Sequence, residues 1–213
     1  MIAVSLFDFT GVMLEPWLEA GYECHIFDIQ HKAGSFQRAD GMWLHGYDLT
    51  SHPIQLLELI REDVIDFVSA FPPCNHVSIS GARWFKGKGL RALQQSVSFF
   101  ATSAEFCELS EAKYCIENPM TTMSTYWREP DHKYHPCHYS GYVDGAEFYT
   151  KETWLWTGGG FVMPPKSMEG DLFDEPDKTY IHHQSPGEER ANIRSATPKG
   201  FARAVYEANK RSA

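Results

Sequence analysis

In the stretch Asp63-Val64-Ile65-Asp66-Phe67-Val68-Ser69-Ala70-Phe71-Pro72-Pro73-Cys74-Asn75-His76-Val77-Ser78-Ile79-Ser80-Gly81, an apolar, β-branched run gives way to two prolines and a cysteine. The run from Asp63 to Ser69 reads as a buried strand. Each proline lacks an N–H and fixes φ, so the pair ends the sheet ladder and stiffens the chain. Cys74 is therefore expected in a rigid turn just past a strand's carboxyl end, the edge where open α/β sheets bind ligands. A thiol there can act as a nucleophile if a neighbour lowers its pKa or the substrate is activated. It can equally be a small buried residue closing a turn. The polar Asn75, His76 and Ser78 that follow favour the first reading.

Upstream, Ile2 to Phe9 is an apolar run that reads as a first strand buried on both faces, ended at Phe9-Thr10-Gly11. Met13 to Ala20 reads as a short helix stopped by Gly21, and Glu23 to Ile29 as a second strand that reaches Asp28 near its end. Strand, glycine turn, helix, strand and acid is the order of a nucleotide-binding unit, in which the acid accepts hydrogen bonds from ribose hydroxyls. Gly11 on its own reads equally well as an ordinary turn glycine. His31 to Gly46 lacks a period and reads as a loop. Asp48 follows, as a helix cap or as a ligand contact. Pro53 to Arg61 reads as an amphipathic helix carrying Ile54, Leu56, Leu57 and Ile60.

Downstream of Cys74, Arg83, Lys86, Lys88 and Arg91 occur with Trp84 and Phe85 and no acid among them. That mixture suits a nucleic-acid backbone with a stacked base, or a solvated loop. Leu90, Leu93, Val97, Phe100, Ala104 and Cys107 recur at helical spacing, so a long helix is expected to end near Ser110, with Cys107 in its core stripe. Lys113 to Ile116 reads as the next strand and leads into Glu117-Asn118-Pro119. Strands joined by one crossover are normally near neighbours, so Cys74 and Glu117 are free to share one crevice. Tyr126 to Gly145 is turn-rich and aromatic, and within it His132 to His138 reads as a surface or recognition loop. Its His132, His135, Cys137 and His138 lack the spacing of a zinc set, and no metal is expected. Lys151 to Thr157 reads as a strand before Gly158-Gly159-Gly160. Met168 to Pro186 is acidic without a period and reads as a surface loop or lid, and Pro198 opens a last helix with Thr197 as its cap.

The 213 residues suit one domain, 1–213, with a small loop-rich insertion at 120–150. The alternation of strands and helices makes the fold class α/β, a Rossmann-like sheet flanked by helices. A net charge of -9 counts against a generally basic nucleic-acid binder but not against a local basic groove. No run is long and apolar enough for a membrane span, and the N-terminus lacks the basic region of a signal peptide. Five cysteines with no C-x-x-C pair fit reduced thiols, and a cytoplasmic location is expected.

These residues together resemble the DNA cytosine-C5 methyltransferase family, and in particular its short phage- and prophage-encoded members. The resemblance is carried by Leu6 to Gly11, Pro72-Pro73-Cys74, Ser80 to Phe85, Ile116-Glu117-Asn118-Pro119, Lys151 to Trp156 and Arg194 to Asn209. It implies an S-adenosylmethionine-dependent methyltransferase sheet. Phe9 and Gly11 would pack around the cofactor, Asp28 would hold its ribose and Asp48 its adenine. Cys74 would add to cytosine C6 and Glu117 would engage the ring at N3. Pro73, His76, Arg83, Asn118 and Arg194 would contact the substrate, with Arg83 or Arg194 replacing the Gln-x-Arg-x-Arg segment that this chain lacks. The partner implied is DNA, single-stranded or with the cytosine flipped out. Two alternatives stand beside it: a non-catalytic nucleotide- or DNA-binding relative of the same fold, and a methyltransferase of a free nucleotide.

Overall fold

Every residue of Ile2–Leu6 is buried, Ser5 included, as its otherwise apolar run requires, and this first strand (β1) is central in the sheet. The computed structural model describes residues 1–62, 65–145, 148–168, 175–178 and 195–211. In chain order the further strands are β2 (Glu23–Phe27), β3 (Gly34–Gln37), β4 (Trp43–Gly46), β5 (Ile65–Ala70), β6 (Lys113–Pro119), β7 (His132–Tyr134) and β8 (Thr153–Gly158). The helices are α1 (Glu15–Glu19), α2 (Ile54–Glu62), α3 (Phe85–Leu109), α4 (Met123–Tyr126) and α5 (Lys199–Asn209). The sheet runs β3-β4-β2-β1-β5-β6-β8-β7. β4, β2, β1, β5 and β6 are parallel, β3 is an antiparallel edge, and β8 is antiparallel to both β6 and β7. The fold is an α/β sheet with helices on both faces.

Two cores lie on opposite faces of the sheet. Leu6, Phe27, Val68 and Ile116 pack with Leu56 of α2 and with Phe100 and Cys107 of α3. Ala3, Ile26, Phe67 and Cys115 pack with Trp17 of α1 and with Phe201 and Val205 of α5. The chain leaves β1 for β2 and β4, then returns to β5 on the other side of β1. That reversal opens a crevice beyond the carboxyl ends of β1 and β5, the usual ligand site of such sheets.

Several expectations are corrected. His31 to Gly46 is no loop but a hairpin, β3 and β4, turned at Asp40-Gly41 with Gly41 at φ 100°. Ile54 and Leu57 of α2 face solvent, and Leu56 with Leu59 and Ile60 make its buried side. Leu90 is 83% exposed, because Gly89 (φ 77°) breaks the helical path just before it. Thr197 makes no cap, since Pro198 occupies that position and Thr197 is buried. The histidine-rich stretch is not a surface loop. Tyr134, Cys137 and Tyr139 are buried, and Tyr134 stacks on Phe201 at 3.9 Å. Most of the expected acidic loop from Met168 to Pro186 lies outside the described residues.

Candidate active site at the carboxyl edge of the sheet

β5 and β6 are in register at Ala70 and Ile116; beyond that point Phe71-Pro72-Pro73-Cys74 leaves the sheet, while Glu117-Asn118 continues along β6 beside it, paired with β8. Along β6 the faces alternate, with Tyr114 and Ile116 in the α3-side core and Cys115 in the α5-side core. Asn118 is turned to the Cys74 loop: its Nδ2 donates to the Pro72 carbonyl at 2.8 Å. Its Oδ1 is buried with no hydrogen-bond partner among the described residues. A buried acceptor of this kind is costly unless a ligand or water satisfies it.

Beyond Cys74 the loop is held by its own backbone. The Val77 and Ser78 N–H groups donate to the Cys74 carbonyl at 3.1 and 3.0 Å. Ile79 N donates to the Met120 carbonyl and Thr122 N to the Val77 carbonyl, and Ser78 bridges Thr121. Lys88 Nζ donates to the Asn75 carbonyl at 2.5 Å. The thiol is half-buried, whereas Cys24, Cys107, Cys115 and Cys137 are buried. Burial pushes Cys24 up to about 12, and pushes Cys107 and Cys115 well up too, so none of these is a nucleophile near neutral pH.

Glu117 is 7% exposed, and Tyr134 Oη donates to its Oε2 at 2.9 Å. Lys151 Nζ lies 3.9 Å from Oε1. Burial raises the carboxyl above its ordinary value, and Lys151 and the Tyr134 hydrogen bond partly offset this. A carboxyl held up by burial, and still polarised by a cation and a phenol, suits a group that gives or shares a proton near neutral pH. Asp8 shapes the neighbouring turn by accepting from the N–H groups of Thr10 and Gly11 at 3.0 and 2.8 Å.

Beside these loops lies a cavity of about 680 Å3, bordered by Phe7, Asp28, Tyr47, Asp48, Pro73 and Phe99. Its wall on the α3 side carries Arg91, Gln94, Gln95 and Ser98. Asp28 Oδ1 accepts from the Gln30 N–H at 2.7 Å, and burial raises its carboxyl against that bond. Asp48 both borders the cavity and caps the turn Leu49–Ser51, accepting from Thr50 N and Oγ1 at 3.0 and 2.7 Å. Two carboxylates among aromatic and apolar surfaces, in a space of this size, fit an adenosine-bearing ligand.

Asp28, Asp48 and Pro73 are thus brought together at one cavity. Phe9 and Gly11 are not among its lining residues. Phe9 stacks on His31 at 5.2 Å, and Gly11 is shaped by the core, because a Cβ there would meet Met42 Sδ at 2.6 Å. His76 borders a second, smaller recess. Arg83 lies over the Trp84 ring at 5.0 Å, and Arg194 falls outside the described residues. Tyr47, Tyr134 and Lys151 were not singled out from the sequence. The polar face Arg91, Gln94, Gln95, Ser98 was a usable signal, since it repeats at helical spacing opposite the Leu93 and Val97 stripe.

Among the described residues no cluster of three or more His, Cys, Asp or Glu is arranged to hold a metal ion. Among them, too, no helix is long and apolar enough to cross a membrane. No protein-family model matches the chain. No curated protein matches it. Among solved structures, one similar chain is described as a candidate DNA modification methyltransferase encoded within a prophage, from E. coli. It is 14% identical, with a TM-score of 0.48 over 87% of this chain and 55% of that one. The present chain therefore spans about half the length of that protein, and nothing about its own chemistry follows from the likeness.

Proposed function

We propose that the chain is an S-adenosylmethionine-dependent methyltransferase acting on C5 of cytosine in DNA. One observation carries the reading: the Asn118–Pro72 hydrogen bond fixes the Cys74 loop against the strand end bearing Glu117, beside a cavity with two carboxylates. Residues 1–213 would act as one methyltransferase-like domain, with 120–150 as a reduced target-recognition element at the edge of the sheet.

Asp28 would accept from the cofactor's ribose hydroxyls and Asp48 from its adenine, with Tyr47 and Phe99 covering the rings. Bound there, S-adenosylmethionine supplies an electrophilic methyl group. Cys74 adds to C6 of cytosine, which makes C5 nucleophilic. Glu117 hydrogen-bonds or protonates N3 and so stabilises the negative charge that addition puts into the ring. Transfer of the methyl group to C5 would release S-adenosylhomocysteine, and loss of the C5 proton to water would then expel the Cys74 thiolate and restore the ring. The unpartnered Asn118 Oδ1 is an acceptor suited to a base amino group. A paired base cannot present C6 to a half-buried thiol, so the target is flipped or already single-stranded.

Incubating the protein with DNA, or with free cytidine nucleotide, and methyl-labelled cofactor tests this. Nucleoside mass analysis should find 5-methylcytosine in the DNA. Label in the free nucleotide alone would reassign the substrate, and no label in either would remove the catalytic reading.

The enclosure of Glu117 by Tyr134 and Lys151 favours a second reading, in which the carboxyl is structural and the protein binds nucleotide or DNA without turnover. Cofactor binding without any methylated product would establish it.

A further inference from the structure

We propose that the recess at the start of α3 is a second nucleotide site, which seats the base next to the target on a single DNA strand. This rests on the reading above for where the target lies, but its test is binding rather than methyl transfer.

The charge distribution is the first argument. The chain as a whole carries -9, yet residues 67–104 hold Arg83, Lys86, Lys88 and Arg91 and no acid. All four cations are exposed. Among the described residues none of them forms an ion pair with a carboxylate. The segment stitched beside them, residues 118–128, is also free of acids. A cluster of uncompensated cations in an acidic protein is the arrangement that tracks phosphates.

Shape and chemistry are the second. A recess of about 350 Å3 is lined by His76, Phe85, Lys86, Lys88, Leu93 and Tyr126. Its walls are mostly aromatic and aliphatic, with cations among them, as a base with its phosphate requires. The His76 Nδ1 atom is buried with no partner among the described residues, so a recess-lining side chain has hydrogen-bonding capacity left unused there. Trp84 and Tyr126, 59% and 57% exposed, offer further stacking faces.

Position is the third. His76 is two residues from Cys74, and Lys88 is bonded to the Asn75 carbonyl between them. Ala92 of α3 borders both this recess and the larger cavity, so the two adjoin along one helix. In a duplex, the faces of each base are covered by its neighbours and its edge by its partner. Only an unpaired base can enter such a recess.

Fluorescence anisotropy of a fluorescein-labelled mixed-pyrimidine 12-mer, alone or annealed to its complement, tests the site with the full chain and no cofactor. The single strand should bind more tightly than the duplex. Trp84→Ala and Tyr126→Ala should each weaken it by about tenfold, as loss of a stacked base does. Lys86→Ala with Lys88→Ala should flatten the slope of log K against log salt by about 1.4, from about 0.7 per phosphate contact. Lys210→Ala, a single loss of charge outside this patch, should leave the affinity and the salt slope unchanged. Duplex binding at least as tight as single-strand binding overturns the proposal, as do absence of binding and wild-type behaviour of the Trp84 and Lys86/Lys88 variants. Strand binding with these sensitivities but no methyl transfer would leave this site standing and remove the catalytic reading. Methyl transfer with strand binding indifferent to them would do the reverse.

Discussion

Asn118 donates a hydrogen bond across the gap between two strand ends to the Pro72 carbonyl, at 2.8 Å and out of contact with solvent. Two residues on from Pro72 is Cys74, and directly before Asn118 is Glu117. Asn118→Ala removes the donor and leaves the Pro72 carbonyl unsatisfied, at a cost of about 1–3 kcal/mol. Thermal unfolding should show that loss. The rate of methyl transfer should fall further than the stability does, because the thiol loses its orientation.

Gly11→Ala should destabilise the fold by about 1–3 kcal/mol. Two causes add: φ is 75°, and the new methyl would meet Met42 Sδ at 2.6 Å. Denaturant titration measures the loss.

Asp28→Asn should weaken S-adenosylmethionine binding at least tenfold by calorimetry, since a carboxylate accepting from ribose hydroxyls becomes a weaker acceptor. Its effect on folding should be small. The burial that raises the Asp28 carboxyl means that its charge is held at some cost in the free protein.

How much of this could be read from the chain follows from where each signal comes from. β1, β2, β5 and β6 were legible because strands buried on both faces are continuous apolar runs, and the two prolines marked where β5 stops. The β3–β4 hairpin was missed, although Asp40-Gly41 between Phe36 and Trp43-Leu44 is a turn signal, because Gln37, Arg38 and the exposed face of β3 hid the alternation. Asp28 was legible as an acid at a strand end, whereas Asp48 reads as a helix cap or a ligand contact, because the β4 strand before it reads as a loop. The partners of Glu117 were not legible: Tyr134 of β7 and Lys151 just before β8 lie 17 and 34 positions away in sequence, and although β8 itself reads as a strand, no local pattern announces its antiparallel pairing with β6 and β7.

A pH dependence follows from the buried pair His25 and His45. His25 Nδ1 and His45 Nε2 are 3.0 Å apart, Glu23 Oε1 is 3.2 Å from His25 Nε2, and Ser35 Oγ is 2.8 Å from His45 Nδ1. Burial, with the charges of His25 and His31 adding to it, lowers His45 from 6.5 to about 4. A pKa depressed by folding means that the unfolded chain binds more protons in this window. The contribution is therefore fully present above about pH 6.5 and is lost as pH falls through about 4. Tm should fall over that range in the wild type, and His45→Gln should flatten the decline. Parallel profiles would remove His45 as its source.

The covalent step is read most directly with DNA carrying 5-fluorocytosine, incubated with the protein and S-adenosylmethionine and run on a denaturing gel. Fluorine at C5 cannot leave as a proton does, so the adduct should persist. It should be absent from Cys74→Ser, and about 100- to 10,000-fold slower to form in Glu117→Gln, the usual worth of a general acid. Cys107→Ser, in the α3 core, should still form it. A trapped band in the wild type that disappears only with Cys74 is the expected result. A band that survives Cys74→Ser, or 5-methylcytosine formed with no band at all, would contradict the assignment of Cys74 as the nucleophile.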